Sequence, residues 1–447
     1  MPSIKFISSI LPLLMCLVLS GCSHSIHEVN SENKFTASKV MTLVQVLKDN
    51  EAGVDGLDNP RSVRVSPDGT HVAVVSGDDN SLAIFDISDD FNLSFNRVFK
   101  NNTPGITGLE GASQVAFLPD GNSLFVASFY DSALVVLDRD EANRYNFRRS
   151  VSDGLSVERI FNSAEPVGAL DTIGLLGAWD LVVSDDGQQI YVTGYKSNGL
   201  SVFDVPELDV ANPDVSGLDA SNSDSSADRP VPSLVKGDEV GLGGAVGLAL
   251  SADNSLLAVT GFDEHMLTLY NRTPDGELRL SQTLIGGESG IHHLINPQVV
   301  RFSPDGDHIY VACAGSNAVV IFNRIETEAG DREYTLFQTI IDEDVDGGLK
   351  GVGSLAVSAD GNKLFVAAEA DSGVLVFKKE DDGRLLLESK LINSEADGAP
   401  TDMTAAGRNG LEGVSSLYLS KDDSYLLVTS AKHDSLSVLK LHHDRRD

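Results

Sequence analysis

Residues 61–87 read RSVRVSPDGTHVAVVSGDDNSLAIFDI, and the pattern returns six more times along the chain. It consists of an apolar segment, a tight Ser-Pro-Asp-Gly corner, a second apolar segment, a polar loop and a third apolar segment. Later copies begin at Val115, Leu181, Leu248, Val300, Leu355 and Leu417, as in VRFSPDGDHIYVACAGSNAVVIFN from Val300. Short runs rich in β-branched residues and bounded by Gly, Asp and Asn read as strands. At the corners Pro fixes φ, Asp bonds its own backbone and Gly accepts a positive φ, so these residues are hairpin chemistry and need no functional role. A repeated three-strand unit of this kind predicts an all-β fold, a β-propeller.

The corner aspartates are Asp68, Asp120, Asp186, Asp253, Asp305, Asp360 and Asp422. They lie farther apart than the ~40–45 residues of a WD40 blade, the excess being loop. Each unit needs a fourth, outer strand, and 92–99, 145–151, 231–236, 278–285, 334–341 and 385–392 supply six. The seventh is at the other end of the chain: MTLVQVLK at 41–48 matches YTLFQTII at 334–341 in register. The amino-terminal strand is therefore expected to complete the last of seven blades and close the ring, which removes exposed sheet edges. Runs such as Val72-Ala-Val-Val75 are continuously apolar, as required of sheets packed on both faces by their neighbours.

A closed array can absorb most of a 447-residue chain as one domain, here 41–447, with an Asp- and Ser-rich loop insertion at about 207–229. The formal net charge of −33 argues against nucleic acid as a partner. It also argues against adhesion to anionic lipid by charge alone. It describes a solvated acidic surface, open to a cationic partner or divalent cations. At the amino end Lys5 precedes an apolar run, 6–19, that reaches Leu19-Ser20-Gly21-Cys22. That run is too short for a membrane span, which needs about 20 apolar residues, and reads as a secretory signal. Small residues followed at once by Cys resemble the lipobox of bacterial lipoproteins. The resemblance implies that 1–21 are removed and that Cys22 carries acyl chains anchoring the protein in the cell envelope. Ser23 stands where an inner-membrane retention signal would place Asp, which implies the outer membrane. Residues 22–40 read as a flexible tether. With Cys16 in the signal and Cys22 lipidated, Cys313 has no partner for an intramolecular disulfide and is expected to be a packed core thiol.

Function is sought where the repeat breaks. Ahead of each inner strand runs Gly-Leu-x-Gly-small, as in 108–112 and 410–414, whose glycines are expected to let the loop turn from rim to axis. These loops and the loops between second and third strands share one face, where a binding site belongs. Arg64 and Arg301 stand mid-strand where other units carry Ala116, Val182, Ala249, Ala356 and Tyr418. Two channel arginines can clamp a carboxylate or phosphate, unless each pairs with an aspartate of its own or a neighbouring blade. Nearer the mouth, Arg61, Trp179 (the single Trp of the chain) and Gln298 replace small residues, and Trp179 could face a ligand or simply pack. His292 and His293 lie on the loop into the fifth unit, and adjacent loop histidines are ordinarily solvated. Asp342, Asp344 and Asp346, followed by Gly347, begin like a calcium loop, but Gly353 stands where the bidentate Glu belongs, leaving at most a low-affinity calcium site. No Gly-x-Ser-x-Gly, CxxC, HExxH or phosphate-loop motif is present.

Tyr191-Val-Thr-Gly194, Tyr310-Val-Ala-Cys313 and Phe125-Val-Ala-Ser128, each after an Asp-Gly-type turn, resemble the Tyr-Val-Thr-Asn repeat of seven-bladed lactonase-like propellers, a family that includes bacterial 6-phosphogluconolactonase. The resemblance spans about 41–441 and implies the fold more strongly than the activity. Three readings follow. The first is an envelope-anchored binding or scaffolding propeller, engaging a protein or small-molecule partner on its loop face. The second is a lactonase-type hydrolase, with Arg64 and Arg301 holding the anionic group of a sugar lactone and a carboxylate such as Glu110 or Glu412 as base. The third is a quinoprotein-like, cofactor-bearing propeller.

Overall fold

The computed structural model describes residues 40–152, 171, 173–208, 232–236, 241–326, 332–392 and 409–442. The signal segment, Cys22, the tether up to residue 39 and most of the acidic insertion lie outside them. Residues 205–208, at the mouth of that insertion, form one short helical turn with Leu208 buried, so the loop begins later than its composition implies.

The described strands form seven four-stranded antiparallel sheets. Blades 1 to 6 span 60–100, 112–152, 178–236, 245–285, 297–341 and 352–392. Each inner strand packs on the inner strand of the next blade, and that of blade 7 (Val414–Leu419) packs on that of blade 1 (Pro60–Val65), so the ring is closed. Closure is made by Met41–Lys48, which pairs antiparallel with Ser435–Leu441 as the outer strand of blade 7. The register match between 41–48 and 334–341 has a physical basis. Gln45 Nε2 donates to the Leu93 carbonyl at 2.8 Å and Gln45 Oε1 accepts from the Leu93 N–H at 2.9 Å, clamping the outer strand of blade 1. Gln338 clamps Leu385 of blade 6 in the same way, and Gln282 clamps Tyr334 of blade 5. The core lies between blades. Val72, Val74 and Phe85 of blade 1, for instance, cluster with Leu427, Leu436 and Val438 of blade 7. Cys313 is fully buried in such a layer, and burial pushes its thiol pKa upward.

Neighbouring blades are also fastened by polar contacts on both faces. On the loop face, the loop between second and third strands ends in a left-handed residue in every blade: Asn80, Ser132, Asn198, His265, Asn317, Ser372 and Asp434, with φ between 48° and 58°. Each accepts, through its side chain, the backbone N–H of the loop entering the next blade: Gly111, Gly177, Gly244, Asn296, Gly351, Gly413 and, across the closure, Asn59. These seven bonds run from 2.7 to 3.2 Å and form a complete ring. The second glycine of Gly-Leu-x-Gly is thereby explained. At Gly111, for example, φ is +67°, and a Cβ would lie 2.3 Å from the Tyr130 ring. Loop acids do similar work within a blade. Asp131 accepts the Glu110 N–H at 2.8 Å and Asp371 the Lys350 N–H at 3.0 Å, so part of the acidic surface serves as backbone caps.

On the opposite face the corner aspartates, expected to be hairpin chemistry alone, also bridge blades. Arg139 of blade 2 pairs with Asp68 of blade 1 at 2.7 Å, and Arg272 of blade 4 with Asp186 of blade 3 at 2.9 Å. Burial raises the Asp68 pKa, but hydrogen bonds from Ser66, Thr70 and Arg139 outweigh it and hold the carboxyl well below its ordinary range.

Net hydrogen-bond contributions of about 1 kcal/mol make the loop-face ring testable. Asn317→Gly removes the cap on Gly351 while tolerating φ of 49°. Asn317→Ala removes the cap and also strains the backbone. Urea titration should show a loss of about 1 kcal/mol for the glycine variant and a larger loss for alanine. Equal stability of both variants with the parent would refute the role given to the cap.

Candidate functional site in the central channel

Because the inner strands share one register, positions that repeat around the ring form layers in the channel. Deepest from the loop face is the layer of Arg64 and Arg301, both half-buried. Arg64 Nη1 donates to the Val63 carbonyl at 2.8 Å. Arg301 Nη1 donates to the Val300 carbonyl at 2.7 Å and the Leu248 carbonyl at 3.3 Å. Among the described residues neither guanidinium has a carboxylate within ion-pair distance, so the pairing with a blade aspartate that would have made them structural is not found. Burial lowers the Arg64 pKa most, and the facing Arg301 charge lowers it further. Asp180 and Tyr418 oppose both effects, and the result is about 10. Arg301 is lowered by burial and raised by Asp180.

Asp180, on the same channel wall, is one residue that the sequence pattern did not single out. It is buried on the inner strand of blade 3, two residues along from Ala178. Gln114 Nε2 donates to Asp180 Oδ1 at 2.6 Å, the Leu181 N–H to the same oxygen at 2.8 Å, and the Leu248 N–H to Oδ2 at 2.9 Å. Ser62 donates in turn to Gln114 Oε1, so a hydrogen-bonded chain links blades 1 to 4. With its oxygens engaged in this way, Asp180 tempers the two arginines electrostatically without pairing with either. Two cations against one anion leave the channel wall electropositive inside a chain of net charge −33.

Nearer the mouth the ring is lopsided. Arg61 of blade 1 pairs with Glu369 of blade 6, Nη1 to Oε2, at 3.2 Å, with both side chains 36% exposed. Glu369 was not anticipated, although it is the charged residue at a position otherwise occupied by Gly77, Phe129, Tyr195, Phe262, Ala314 and Ala431. Blades 2 to 4 carry aromatic rings instead. Trp179 lies 5.6 Å from Phe129, edge to face, and 6.3 Å from Tyr195. Gln298 lies beside Gly353 at the mouth. Glu110 and Glu412 are exposed on the rim, Glu412 close enough to His433 to influence its titration. His292 is exposed and His293 half-buried.

The would-be calcium loop is committed to protein partners. Asp342 Oδ1 accepts the Leu349 N–H at 2.8 Å and Asp344 Oδ2 the Ile341 N–H at 3.0 Å. The Lys390 ammonium bonds the carbonyls of Val345 and Asp346 at 2.8 and 3.0 Å, where a cation would seek oxygens. Asp49, Asp55 and Asp79 converge elsewhere on the loop face, but Lys100 already bonds Asp55 at 2.7 Å and Asp79 at 2.9 Å. Two open clefts of about 430 and 450 Å³ lie on the turn face, between blades 3 and 4 and between blades 5 and 6. Polar blade-to-blade contacts such as Arg272–Asp186 wall the first of them, and neither reaches the channel.

Residues 235–447 match the family model described as lactonase, 7-bladed beta-propeller. The chain is a seven-bladed β-propeller, and its second half resembles the lactonase-like members of that fold. Residues 41–86 match the WD domain, G-beta repeat, in a frame that joins the closing outer strand to the three strands after it. No curated protein matches the sequence significantly. Among solved structures, this propeller is similar to the periplasmic gluconolactonase of Pseudomonas aeruginosa, with a TM-score of 0.56 and 16% identity over 74% of this chain and 85% of that one. A putative 6-phosphogluconolactonase from Bacteroides fragilis gives 0.55 and 14% over 75% and 84%. The β-propeller domain of Cps50 (Swd1) from Myceliophteria thermophila gives 0.56 and 11% over 90% and 100%. Likeness at these identities is likeness of fold.

An electropositive channel wall should be stabilised by anions, since a ligand that binds only the folded state adds RT ln(1 + [L]/Kd). Inorganic phosphate should raise the melting temperature of the parent above the effect of equal ionic strength in chloride. Arg64→Ala and Arg301→Ala should each abolish that difference. A phosphate effect of equal size in both variants would remove the anion from the channel.

Proposed function

We propose that this protein is a lactonase-type hydrolase acting at the loop-face mouth of its channel, on a lactone bearing a carboxylate or phosphate. The observation that carries this reading is the pair of channel arginines that have no acid partner among the described residues, reached past the Arg61–Glu369 pair. Arg64 lies three residues along the strand from Arg61, about 10 Å at the rise of an extended chain. That span suits a substrate whose ester and anionic group sit at opposite ends. The family model and the names of the gluconolactonase-type neighbours support the same class of reaction. They favour it over the binding or scaffolding module that the sequence placed first.

In this mechanism Glu369 takes a proton from water as the water oxygen bonds to the lactone carbonyl carbon. The second guanidinium nitrogen of Arg61 donates to the oxyanion that forms. Collapse breaks the ring C–O bond, and the departing alkoxide recovers the proton from Glu369. The net change is addition of one water to give a hydroxy acid. Arg64 and Arg301 hold the anionic end and fix the ester against the pair.

Hydrolysis followed by pH-stat over phosphorylated sugar lactones, glucono-δ-lactone and δ-valerolactone tests this. Saturable turnover is expected, greatest for the anionic substrate. Glu369→Gln should lower kcat about 100-fold or more, the scale of general base catalysis. Arg64→Ala and Arg301→Ala should raise KM chiefly for the anionic lactone, and Glu110→Gln and Glu412→Gln should cost far less. No turnover by folded protein on any of these lactones would return the binding-module reading to first place.

The same proposal places the enzyme in the cell envelope, held by lipid on Cys22, the lipobox of 19–22 being its support. Palmitate should label the parent in growing cells and not Cys22→Ser. Equal labelling of both would refute the anchor.

A further inference from the structure

The lopsided mouth carries one inference more. Tyr130, Phe129, Trp179, Tyr195 and Phe262 form a continuous arc of rings over blades 2 to 4. The neighbouring centroids are 5.2 Å apart for Tyr130 and Phe129, 5.6 Å for Phe129 and Trp179, 6.3 Å for Trp179 and Tyr195, and 6.4 Å for Tyr195 and Phe262. All five are half-buried, in contrast to Phe85, Phe125, Tyr191 and Tyr310, which are fully buried inside the blade layers. Blade-to-blade packing does not require them, because Gly77, Ala314 and Ala431 hold the positions of Phe129, Tyr195 and Phe262 in blades 1, 5 and 7. The backbone also makes room for the arc. A Cβ on Gly111 would strike the Tyr130 ring, and one on Gly177 would lie 3.0 Å from the Phe129 ring.

The arc is framed by polar groups. Tyr195 Oη meets Asp263 Oδ1 at 3.1 Å, and the Lys196 ammonium lies 4.7 Å from the Tyr195 ring centroid. At the other end, Tyr130 is raised in pKa by burial, by Asp78 and by Glu110, while the Arg61 charge works against them, so its hydroxyl lies among the charged groups of the mouth. A pyranose ring offers C–H bonds on its faces and hydroxyls around its edge, and an apolar platform with a polar frame matches both.

We infer that this arc is a sugar-ring subsite that stacks the carbohydrate part of the substrate and sets specificity for sugar lactones over aliphatic ones. The inference rests on the hydrolase reading for the identity of the substrate, but its test does not need turnover. Trp179 is the single tryptophan, so the emission of the full-length protein reports on the mouth directly. Methyl β-glucopyranoside and glucono-δ-lactone should each change Trp179 emission saturably, whereas δ-valerolactone should not. Phe129→Ala and Tyr195→Ala should weaken the apparent affinity about 5- to 10-fold, the scale of a lost aromatic contact. Tyr195→Phe, which keeps the ring and loses the bond to Asp263, should retain most of it. Sugar binding without turnover on any lactone upholds the subsite and sinks the hydrolase alone. No emission change with either sugar up to tens of millimolar overturns the subsite, as does equal affinity in folded Phe129→Ala, Tyr195→Ala and parent. A change produced by an amphipathic peptide but by neither sugar also overturns it, and assigns the arc to a protein partner.

Discussion

Everything in this ring depends on a small recurring contact: a left-handed loop residue of one blade bonding the backbone N–H of the loop that enters the next. A blade is a twisted sheet with two apolar faces, and apolar contact alone leaves its angle to a neighbour loosely defined. The cap fixes that angle at the loop face, while corner aspartates and cations from neighbouring blades brace it at the other. Seven equal caps close on themselves only if the last residue reaches the first loop, and Asp434 does reach Asn59, at 3.1 Å. The contact needs a side chain that can accept a hydrogen bond and a backbone at positive φ. Asn, Asp, Ser and His supply both, short polar side chains being the ones most tolerant of this region.

A scaffold stapled by loop backbone leaves the channel-facing side chains free to differ. They do differ, and by sector. Blades 2 to 4 present rings, blades 1 and 6 an ion pair, and blades 1 and 5 the two inner arginines. The negative charge of the chain is largely peripheral, with part of it spent on capping N–H groups. The channel carries the opposite sign because one carboxylate, already engaged by three donors, faces two guanidinium groups. A small anion can therefore be drawn to the axis of an acidic protein. The field at a site is set by its nearest desolvated charges more than by the distant, screened total.

Much of the architecture could be read from the chain. Blade number and closure followed from the corner aspartates and from Gln45 standing where Gln338 stands, and both glutamines make the same clamp. The caps could not be read, because four residue types fill one role and only their shared backbone conformation unites them. Arg64, Arg301, Arg61 and Trp179 stood out by breaking the repeat on the inner strand. Glu369 escaped because it breaks the repeat one strand later, in the loop. Asp180 and Gln114 looked like ordinary polar residues of a strand. Their weight comes from reaching across blade boundaries, which a linear pattern does not show. The Asp342 loop shows the converse: its spacing resembles the start of an ion loop, and the fold brings Lys390 from a distant strand onto two of its carbonyls.

The central claim is that the ligand of this protein sits on the propeller axis, between the inner arginines and the aromatic arc. A crystal structure of the protein soaked with a phosphorylated sugar acid, the product of the proposed hydrolysis, tests it most directly. The account predicts density with the phosphate at Arg64 and Arg301 and the carboxylate beside Arg61 and Glu369. An empty channel, with the ligand instead in one of the clefts of the turn face, would contradict it.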